Sequence, residues 1–287
     1  MLNGAPPDKN MNLLLTNDDG IDSGGLTVLA EALRSRGDKV FIIAPDANRS
    51  GISNAITILN NPVKIKAVGE DAWTCSGTPA DCVIAALMGV LPFKPDMVLS
   101  GINQGANLSN DIIFSGTAGA ARQGSLFGVP SLALSLVDRS GFLWDMAAAW
   151  TALHLTELAA LWREDTFVNV NIPNSPGGPE GMLMTWPGIK HYNDSLSVRT
   201  APDGSLDCSL LAGEEAAEYE SGSDIDAVSR NLASVSSVYN YPAVRKDLCP
   251  GAPCHASVSA RPKEKSPGPL DNWPDTAECS VSKDCLA

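Results

Sequence analysis

The sequence lacks any apolar run long enough to cross a membrane. No segment reaches the roughly 18 to 20 consecutive apolar residues that a membrane-spanning helix needs. Residues 1–10 contain Pro6, Pro7 and Asp8 instead of the apolar core of a secretion signal. We therefore expect a cytoplasmic protein that binds no membrane.

Positive charge is also scarce, with 20 Lys and Arg against 33 Asp and Glu and a net charge of −13. Because long-range repulsion opposes the approach of a polyanion, we expect no binding to nucleic-acid polymers. A small anionic substrate stays possible where a bound metal reverses the local field. Residues 201–226 contain eight acidic residues and no Lys or Arg, a pattern typical of a solvated face or loop.

The seven cysteines are an odd number, and those in the ordinary globular part of the chain do not indicate a disulfide framework. There are three in that part: Cys75, Cys82 and Cys208. Cys75 and Cys82 are predicted to be buried as small apolar side chains. Four more lie in a Pro-rich segment with His255: Cys249, Cys254, Cys279 and Cys285. They could bind zinc, but unstructured thiols are the preferred interpretation.

Strand-like and helix-like segments alternate along the chain, which is typical of a parallel sheet with crossover helices. Strands are predicted over residues 12–16, 39–44, 96–100, 129–136 and 167–172. Helices are predicted over 25–36 and 145–162, from Pro79 behind a Thr78 cap, and from about residue 115. The 145–162 helix is predicted to be amphipathic, with Leu153, Leu155, Leu158 and Leu161 on its apolar face. After Pro173 the pattern loosens, and from about residue 241 the composition indicates little order.

Polar loops follow three of the predicted strands, over residues 17–20, 46–54 and 101–110. The carboxyl ends of parallel strands meet at one edge of a sheet, where ligands bind. The first loop carries Asp18 and Asp19, which repel each other at neutral pH unless a cation compensates them or their pKa values rise. With a serine hydroxyl and an asparagine carbonyl, these carboxylates could form an open shell for a hard divalent cation.

Such a cation would activate a water as a nucleophile and hold a phosphoryl oxygen. The helix start over residues 115–118 would then present backbone N–H groups to a phosphate. Each element also has a simpler interpretation, as a solvated turn, a tight connection or a helix cap. Their convergence on one sheet edge favours a binding site.

Short motifs occur along most of the chain. They are TNDDGI at 16–21, APD at 44–46, RSG at 49–51, SNAIT at 53–57, GTPADC at 77–82, PD at 95–96, SGIN at 100–103, GAN at 105–107 and SGT at 115–117, then NVNIP at 169–173, SGSD at 221–224, AV at 227–228 and SVS at 234–236. In these motifs the chain resembles the SurE survival proteins, a family of metal-dependent phosphatases that act on nucleoside monophosphates.

The resemblance implies one divalent metal, Mg²⁺ or Mn²⁺, and a nucleoside monophosphate or similar small phosphomonoester as substrate. The implied metal ligands are Asp18, Asp19, Ser50 and Asn103, and the two aspartates are also the implied catalytic residues. The implied phosphate contacts are Asn54, Asn107, Ser115, Gly116 and Thr117.

The resemblance also implies a three-layer α/β sandwich over residues 11–238, with a mostly parallel, Rossmann-like central sheet. Its part over about 175–238 would be less regular and would form arms exchanged between the subunits of a homodimer or homotetramer. Residues 1–10 would be an N-terminal extension. Residues 239–287 would be an atypical Pro- and Cys-rich tail with little order, in place of the family's closing helix.

Two single residues depart from the family pattern. Phe114 stands where Tyr or His is common, and it cannot transfer a proton. Trp186 stands where Arg is common, which removes a basic contact. These departures leave open a nucleotide-binding regulatory module with little turnover as the alternative function.

The leading hypothesis is hydrolysis of a nucleoside 5′- or 3′-monophosphate by a metal-activated water. A covalent route with Asp18 as the nucleophile is the rival mechanism. A serine hydrolase ranks low, because His154, His191 and His255 are the only histidines and no Gly-x-Ser-x-Gly motif follows a strand.

Overall fold

The computed structural model describes residues 10–137, 141–213 and 215–243. Its strands are β1 Asn12–Thr16, β2 Lys39–Pro45, β3 Ile65–Gly69, β4 Ala72–Cys75, β5 Met97–Gln104, β6 Ser131–Val137, β7 Thr166–Pro173, β8 Met182–Met184, β9 Ile189–Tyr192, β10 Ser195–Thr200, β11 Leu206–Leu211, β12 Glu215–Glu218 and β13 Ala233–Tyr239. Its helices are α1 Gly24–Ser35, α2 Pro79–Ala85, α3 Asp111–Phe114, α4 Gly116–Leu126, α5 Trp144–Ala159 and α6 Asp224–Ser229, and a π-helical turn, Ala86–Val90, continues α2.

One nine-stranded sheet forms the centre, in the order β3-β4-β2-β1-β5-β6-β7-β13-β8. The six strands from β4 to β7 in this order are mutually parallel. The chain begins in the middle of the sheet at β1, adds β2 and β4 on one side and continues with β5 to β7 on the other. The strand order therefore reverses between β1 and β5, and ligands bind at such switch points in open α/β sheets.

Helices cover both faces of the sheet, as the alternation of side chains along β1 requires. Leu13 and Leu15 pack into the core cluster that contains the buried residues of α1 and α5. Leu14 packs into the opposite cluster with Cys82 and Val83 of α2. Both faces of β1 are thus apolar, which explains its uninterrupted run of leucines. The predicted three-layer α/β sandwich is confirmed.

The helix caps also match the sequence. Thr78 accepts a hydrogen bond from the Asp81 N–H, the Asp81 carboxylate accepts one from the Thr78 N–H, and Pro79 occupies the first turn of α2. Ser115 caps α4 by accepting from the Ala118 N–H at 3.0 Å.

Cys75 and Cys82 are buried, as predicted.

The prediction that β5 ends at residue 100 was wrong, because the strand continues to Gln104 through an irregularity between Ser100 and Asn103. Gly101 permits this, since a Cβ at its position would lie 2.3 Å from the Leu134 carbonyl oxygen on β6. Asn103 resumes the pairing with β6 opposite Ser135. It is therefore held by the sheet, and the loop begins only after it.

Helix α5 has a narrower apolar face than predicted. Leu155 and Leu158 are fully buried, and Leu161 packs against the core just beyond the helix end. Leu153 is 76% exposed, so its assignment to the apolar face was wrong. The helical period of 3.6 residues turns it away from the sheet.

The chain after Pro173 is more regular than its sequence pattern indicates. Its described residues, up to 243, contain six strands and α6, and β13 pairs antiparallel with β7 inside the central sheet. Asn240 follows β13, is buried, and donates to the Ser125 hydroxyl at 2.8 Å. The candidate zinc residues Cys249, Cys254, Cys279, Cys285 and His255 lie outside the described residues. No helix within the described ranges is long and apolar enough to cross a membrane.

Candidate active site

Two cavities open at the carboxyl edge of the sheet, on either side of the Asp18-Asp19 turn. The smaller, here called the Ser115 cavity, measures about 230 Å³. It brings together five of the residues predicted from the sequence: Asp18, Ser50, Asn103, Asn107 and Ser115. The larger, here called the Trp144 cavity, measures about 580 Å³ and is lined by Asp19. Gln104 lines both cavities, so they are neighbours.

Asp18 is almost completely buried at the end of β1. Its Oδ1 accepts a hydrogen bond of 2.5 Å from the Thr117 hydroxyl. Burial raises the pKa of Asp18 above its ordinary value, although Thr117 and nearby backbone N–H groups, including that of Gly116, act in the opposite direction. Ionisation of this carboxyl group is therefore unfavourable unless a positive charge lies close to it.

Asp19 is half-buried, and its Oδ2 accepts from the Gln104 N–H at 3.1 Å. Burial raises the pKa of Asp19 to about 6, and the neighbouring Asp18 charge adds to the rise. Within the described ranges, no Lys, Arg or His forms an ion pair with either aspartate. A bound cation would therefore balance the negative charge of the two carboxylates.

The neutral members of the predicted metal set have oxygens to offer. The side-chain amide of Asn103 donates to the Gly105 carbonyl at 2.9 Å, which leaves its carbonyl oxygen as a ligand. Ser50 is exposed, and its hydroxyl forms no hydrogen bond with the residues that the structure describes. Two carboxylates with two neutral oxygens and adjacent open space fit a hard divalent cation that keeps several waters.

Asn107 is fixed by a buried amide network on the floor of the Ser115 cavity. Its N–H donates to the Asn171 side chain at 2.8 Å, and its own amide donates to the Ser135 hydroxyl at 2.8 Å. The side-chain amides of Asn169 and Asn171 both donate to the backbone carbonyl oxygen of Asn107. The Asn107 side-chain oxygen is the acceptor left over. The sequence signal for this network was the pair of asparagines, two residues apart, on the buried strand β7.

The other three predicted phosphate contacts do not line the Ser115 cavity. The Asn54 side-chain oxygen accepts from Arg122 at 2.6 Å, on the exposed side of α4. The Thr117 hydroxyl is used by Asp18. Gly116 has a steric role, because a Cβ there would lie 2.8 Å from the Asp18 Cβ. The structure thus places Gly116 and Thr117 as supports of Asp18.

Sequence reasoning missed a charged group at the rim of the Ser115 cavity. Asp111 lines this cavity and pairs with Lys190 at 2.8 Å, and the Tyr192 hydroxyl also donates to it. Lys190 and Tyr192 lie on β9, 79 and 81 residues after Asp111 in the chain, so no local motif reveals the contact. The two residues that depart from the family pattern lie in different places. Phe114 is exposed and lines the cavity, whereas Trp186 lies beside Gly222 near α6.

A second missed group holds the loop that carries Ser50. The buried Asp81 carboxylate accepts from the Thr57 N–H, the Thr57 hydroxyl and the Ile58 N–H. The Thr78 hydroxyl donates to the Ala55 carbonyl at 2.7 Å. The GTPAD motif thus caps α2 and clamps the loop after β2 at the same time. Its capping pattern was visible in the sequence, but its contact with residues 55–58 was not.

The described histidines do not form a hydrolase triad. His154 lies 3.2 Å from Glu157 and His191 lies 3.0 Å from Glu218, both on the exterior. His255 lies outside the described residues.

Comparisons with known proteins point to one family. The family model described as survival protein SurE matches residues 13–194. A protein of Geotalea daltonii named 5′-nucleotidase SurE is 40% identical over 80% of this chain and 93% of its own length. A protein of the same name from Thermosynechococcus vestitus is 37% identical over 79% and 89%. The crystal structure of the SurE protein from Aquifex aeolicus superposes with a TM-score of 0.72, at 35% identity, over 83% of this chain and 96% of that one.

Proposed function

The chain belongs to the SurE family, and we propose that it hydrolyses the phosphate ester of nucleoside 5′-monophosphates with one divalent metal ion. Relatives named 5′-nucleotidase support the reaction class and favour the 5′-ester over the 3′-ester. The observation that carries the proposal is the pair of adjacent carboxylates without an ion-pair partner in the described residues, buried Asp18 and half-buried Asp19, beside a cavity of about 230 Å³.

In the proposed site, Asp18, Asp19, Ser50 and Asn103 would hold Mg²⁺ or Mn²⁺. When bound, such an ion lowers the pKa of a water and offsets charge on a phosphoryl oxygen. The chain's own residues then orient the parts: Thr117 fixes the Asp18 carboxylate, and the Gln104 N–H fixes that of Asp19. The Asn107 side chain and the Ser115 hydroxyl contact the phosphate, because the first N–H groups of α4 are taken by Asp18 and by the Ser115 oxygen.

Lys190 brings a positive charge to Asp111, the carboxylate at the rim of the Ser115 cavity. Its ammonium group lies 2.8 Å from Asp111, so the carboxylate at the rim is neutralised before an anionic substrate arrives. This pair lowers the repulsion between the rim and an anionic substrate, but it does not replace the basic contact that is lost with Trp186. Phe114 gives the rim an apolar surface and no acid, so protonation of the leaving oxygen falls to solvent.

The two alternatives have less support. A regulatory module with little turnover is not favoured, because the relatives are named as nucleotidases and the candidate metal residues are all present. A covalent route would need Asp18 as a free nucleophile, but it is buried and engaged by Thr117 and backbone N–H groups. Acid-quenched enzyme with labelled substrate should therefore carry no phosphate.

The test is hydrolysis of a panel of phosphomonoesters with Mg²⁺, with Mn²⁺ or with excess chelator. Asp19→Asn is the informative variant, since it removes a charge at constant size, and Asp71→Asn in the exposed turn between β3 and β4 is its matched control. We expect chelation and Asp19→Asn each to lower kcat/KM at least about 100-fold. Persistent hydrolysis under chelation would overturn the metal mechanism, and metal-dependent nucleotide binding without turnover would favour the regulatory module.

We also propose that the arm over β10 and β11 packs against a second copy in a homodimer or homotetramer. The strands form a two-stranded antiparallel hairpin in which Leu196 faces Leu210 and Val198 faces Cys208. Directly opposed residues share a face, so this hairpin has one apolar face, and its leucines are at least 52% exposed. An isolated two-stranded hairpin is marginal in water, and cover from another subunit would stabilise it.

A further inference from the structure

The Trp144 cavity is not used by the metal and phosphate residues beyond Asp19. It is formed by the turn after β1, the loop after β2, Gln104 and the segment that leads into α5. Its volume of about 580 Å³ lies within the range of small-molecule sites. Because Asp19 and Gln104 border it, a ligand whose phosphate lies in the Ser115 cavity can extend into it past the acid pair.

The charged groups that line the Trp144 cavity indicate which end of such a ligand binds there. The described lining of the Trp144 cavity contains three carboxylates and no Lys, Arg or His. Asp46 is paired with Arg49 at 3.1 Å, which leaves Asp19 and Asp22 as its negative groups. A phosphate is repelled there, whereas hydroxyl and amino groups find acceptors in Asp22 and Asn48. The uncharged end of the substrate therefore fits this cavity and the phosphate fits the other.

A rigid aromatic pair forms one wall. The Phe142 ring stacks on the Trp144 ring with centroids 4.7 Å apart and planes inclined by 13°. The indole packs on the start of α1, where a Cβ at Gly24 or Gly25 would lie 3.1 or 3.0 Å from it. Both rings are half-buried. The two glycines thus let the helix hold the indole in place, and the stacked pair is fixed before a ligand arrives.

From this arrangement we infer that the Trp144 cavity binds the nucleoside part of the substrate, with the base against Phe142 and Trp144 and the ribose hydroxyls near Asp22. The inference rests on the proposed function, and it adds the residues that distinguish a nucleotide from a simpler phosphomonoester. Aromatic stacking accepts any base, so the site selects for the presence of a base more than for its identity.

Kinetics on two matched substrates test the inference. A nucleoside 5′-monophosphate and ribose 5-phosphate, which lacks the base, are compared on wild type, Phe142→Ala and Phe142→Leu. Leucine retains apolar volume without a ring, so it guards against a folding defect. We expect both variants to lower kcat/KM for the nucleotide about tenfold, mainly through KM, and to change ribose 5-phosphate less than about twofold. Phe142→Tyr should behave as wild type.

Adenosine binding separates this inference from the proposed function. The uncharged nucleoside should bind the wild-type protein in calorimetry, with and without Mg²⁺, and about tenfold more weakly to Phe142→Leu. Adenosine binding that depends on Phe142 in a protein that hydrolyses neither substrate would refute the nucleotidase and support the nucleoside site. Equal losses on both substrates, unchanged kinetics, or no adenosine binding at millimolar concentration would overturn the nucleoside site.

Discussion

Replacement of Asp81 by asparagine should destabilise the protein strongly, although Asp81 lies outside both cavities. Its carboxylate is fully buried and accepts hydrogen bonds from the Thr57 N–H at 3.0 Å, the Ile58 N–H at 3.1 Å and the Thr78 N–H at 2.9 Å, as well as from the Thr57 hydroxyl. Asparagine offers one acceptor oxygen and points an NH₂ group at the remaining donors. At least one buried N–H is then left unpaired.

The expected loss is about 2–4 kcal/mol of unfolding free energy. One orphaned buried donor costs about 1–3 kcal/mol, and the surviving hydrogen bonds lose the extra strength of an ionised acceptor. A domain has only about 5–15 kcal/mol in total. Thr57→Val removes one of the donors and keeps the carboxylate, so its loss should be smaller, about 1 kcal/mol.

The loss should also depend on pH in a defined direction. Burial by itself raises the pKa of Asp81, but the hydrogen bonds from Thr57, Thr78 and Ile58 outweigh it and lower the pKa below its ordinary value of 3.8. A lowered pKa contributes stability that is fully present above the unfolded value and is lost as pH falls through the folded one. The difference between wild type and Asp81→Asn should therefore be constant from about pH 7 to pH 5 and shrink below about pH 4.

Urea unfolding followed by circular dichroism measures these differences, with Asp71→Asn as the exposed control. A loss below about 1 kcal/mol for Asp81→Asn, or a difference that grows as the pH falls, would refute the reasoning.

Three further substitutions have defined outcomes. Gly116→Ala should lower stability by about 1–3 kcal/mol and reduce activity, because its Cβ would lie 2.8 Å from that of Asp18, whereas Gly177→Ala has open space and should leave both within error in urea unfolding and kinetic assays. Thr117→Val should weaken Mn²⁺ binding about 10- to 100-fold by calorimetry and Thr117→Ser should not, since only the hydroxyl holds Asp18; equal effects would contradict this. Leu210→Asp should shift the assembly to smaller species in sedimentation, while Lys39→Asp, at the exposed start of β2, should not; an unchanged mass would argue against the arm interface.

The sequence by itself determined the parallel core of the fold and predicted part of the lining of the candidate site. Apolar runs such as that of β1 read as buried strands because both of their faces must be covered, and Thr78, Pro79 and Ser115 marked helix starts because capping is local chemistry. The acid pair after β1 indicated a cation because two adjacent carboxylates repel each other wherever they lie.

Only the tertiary structure decided how distant residues meet. The strand β13 returns antiparallel into the sheet, the β9 residue Lys190 reaches Asp111, and Asp81 clamps a loop more than 20 residues away. It also decided that Asn103 belongs to a strand and that Thr117 supports Asp18. Such contacts join segments far apart in the chain, and their energy depends on packing that no local pattern encodes. The sequence thus predicted several groups of the candidate site, and the fold determined which of them line the cavity and which hold the others in place.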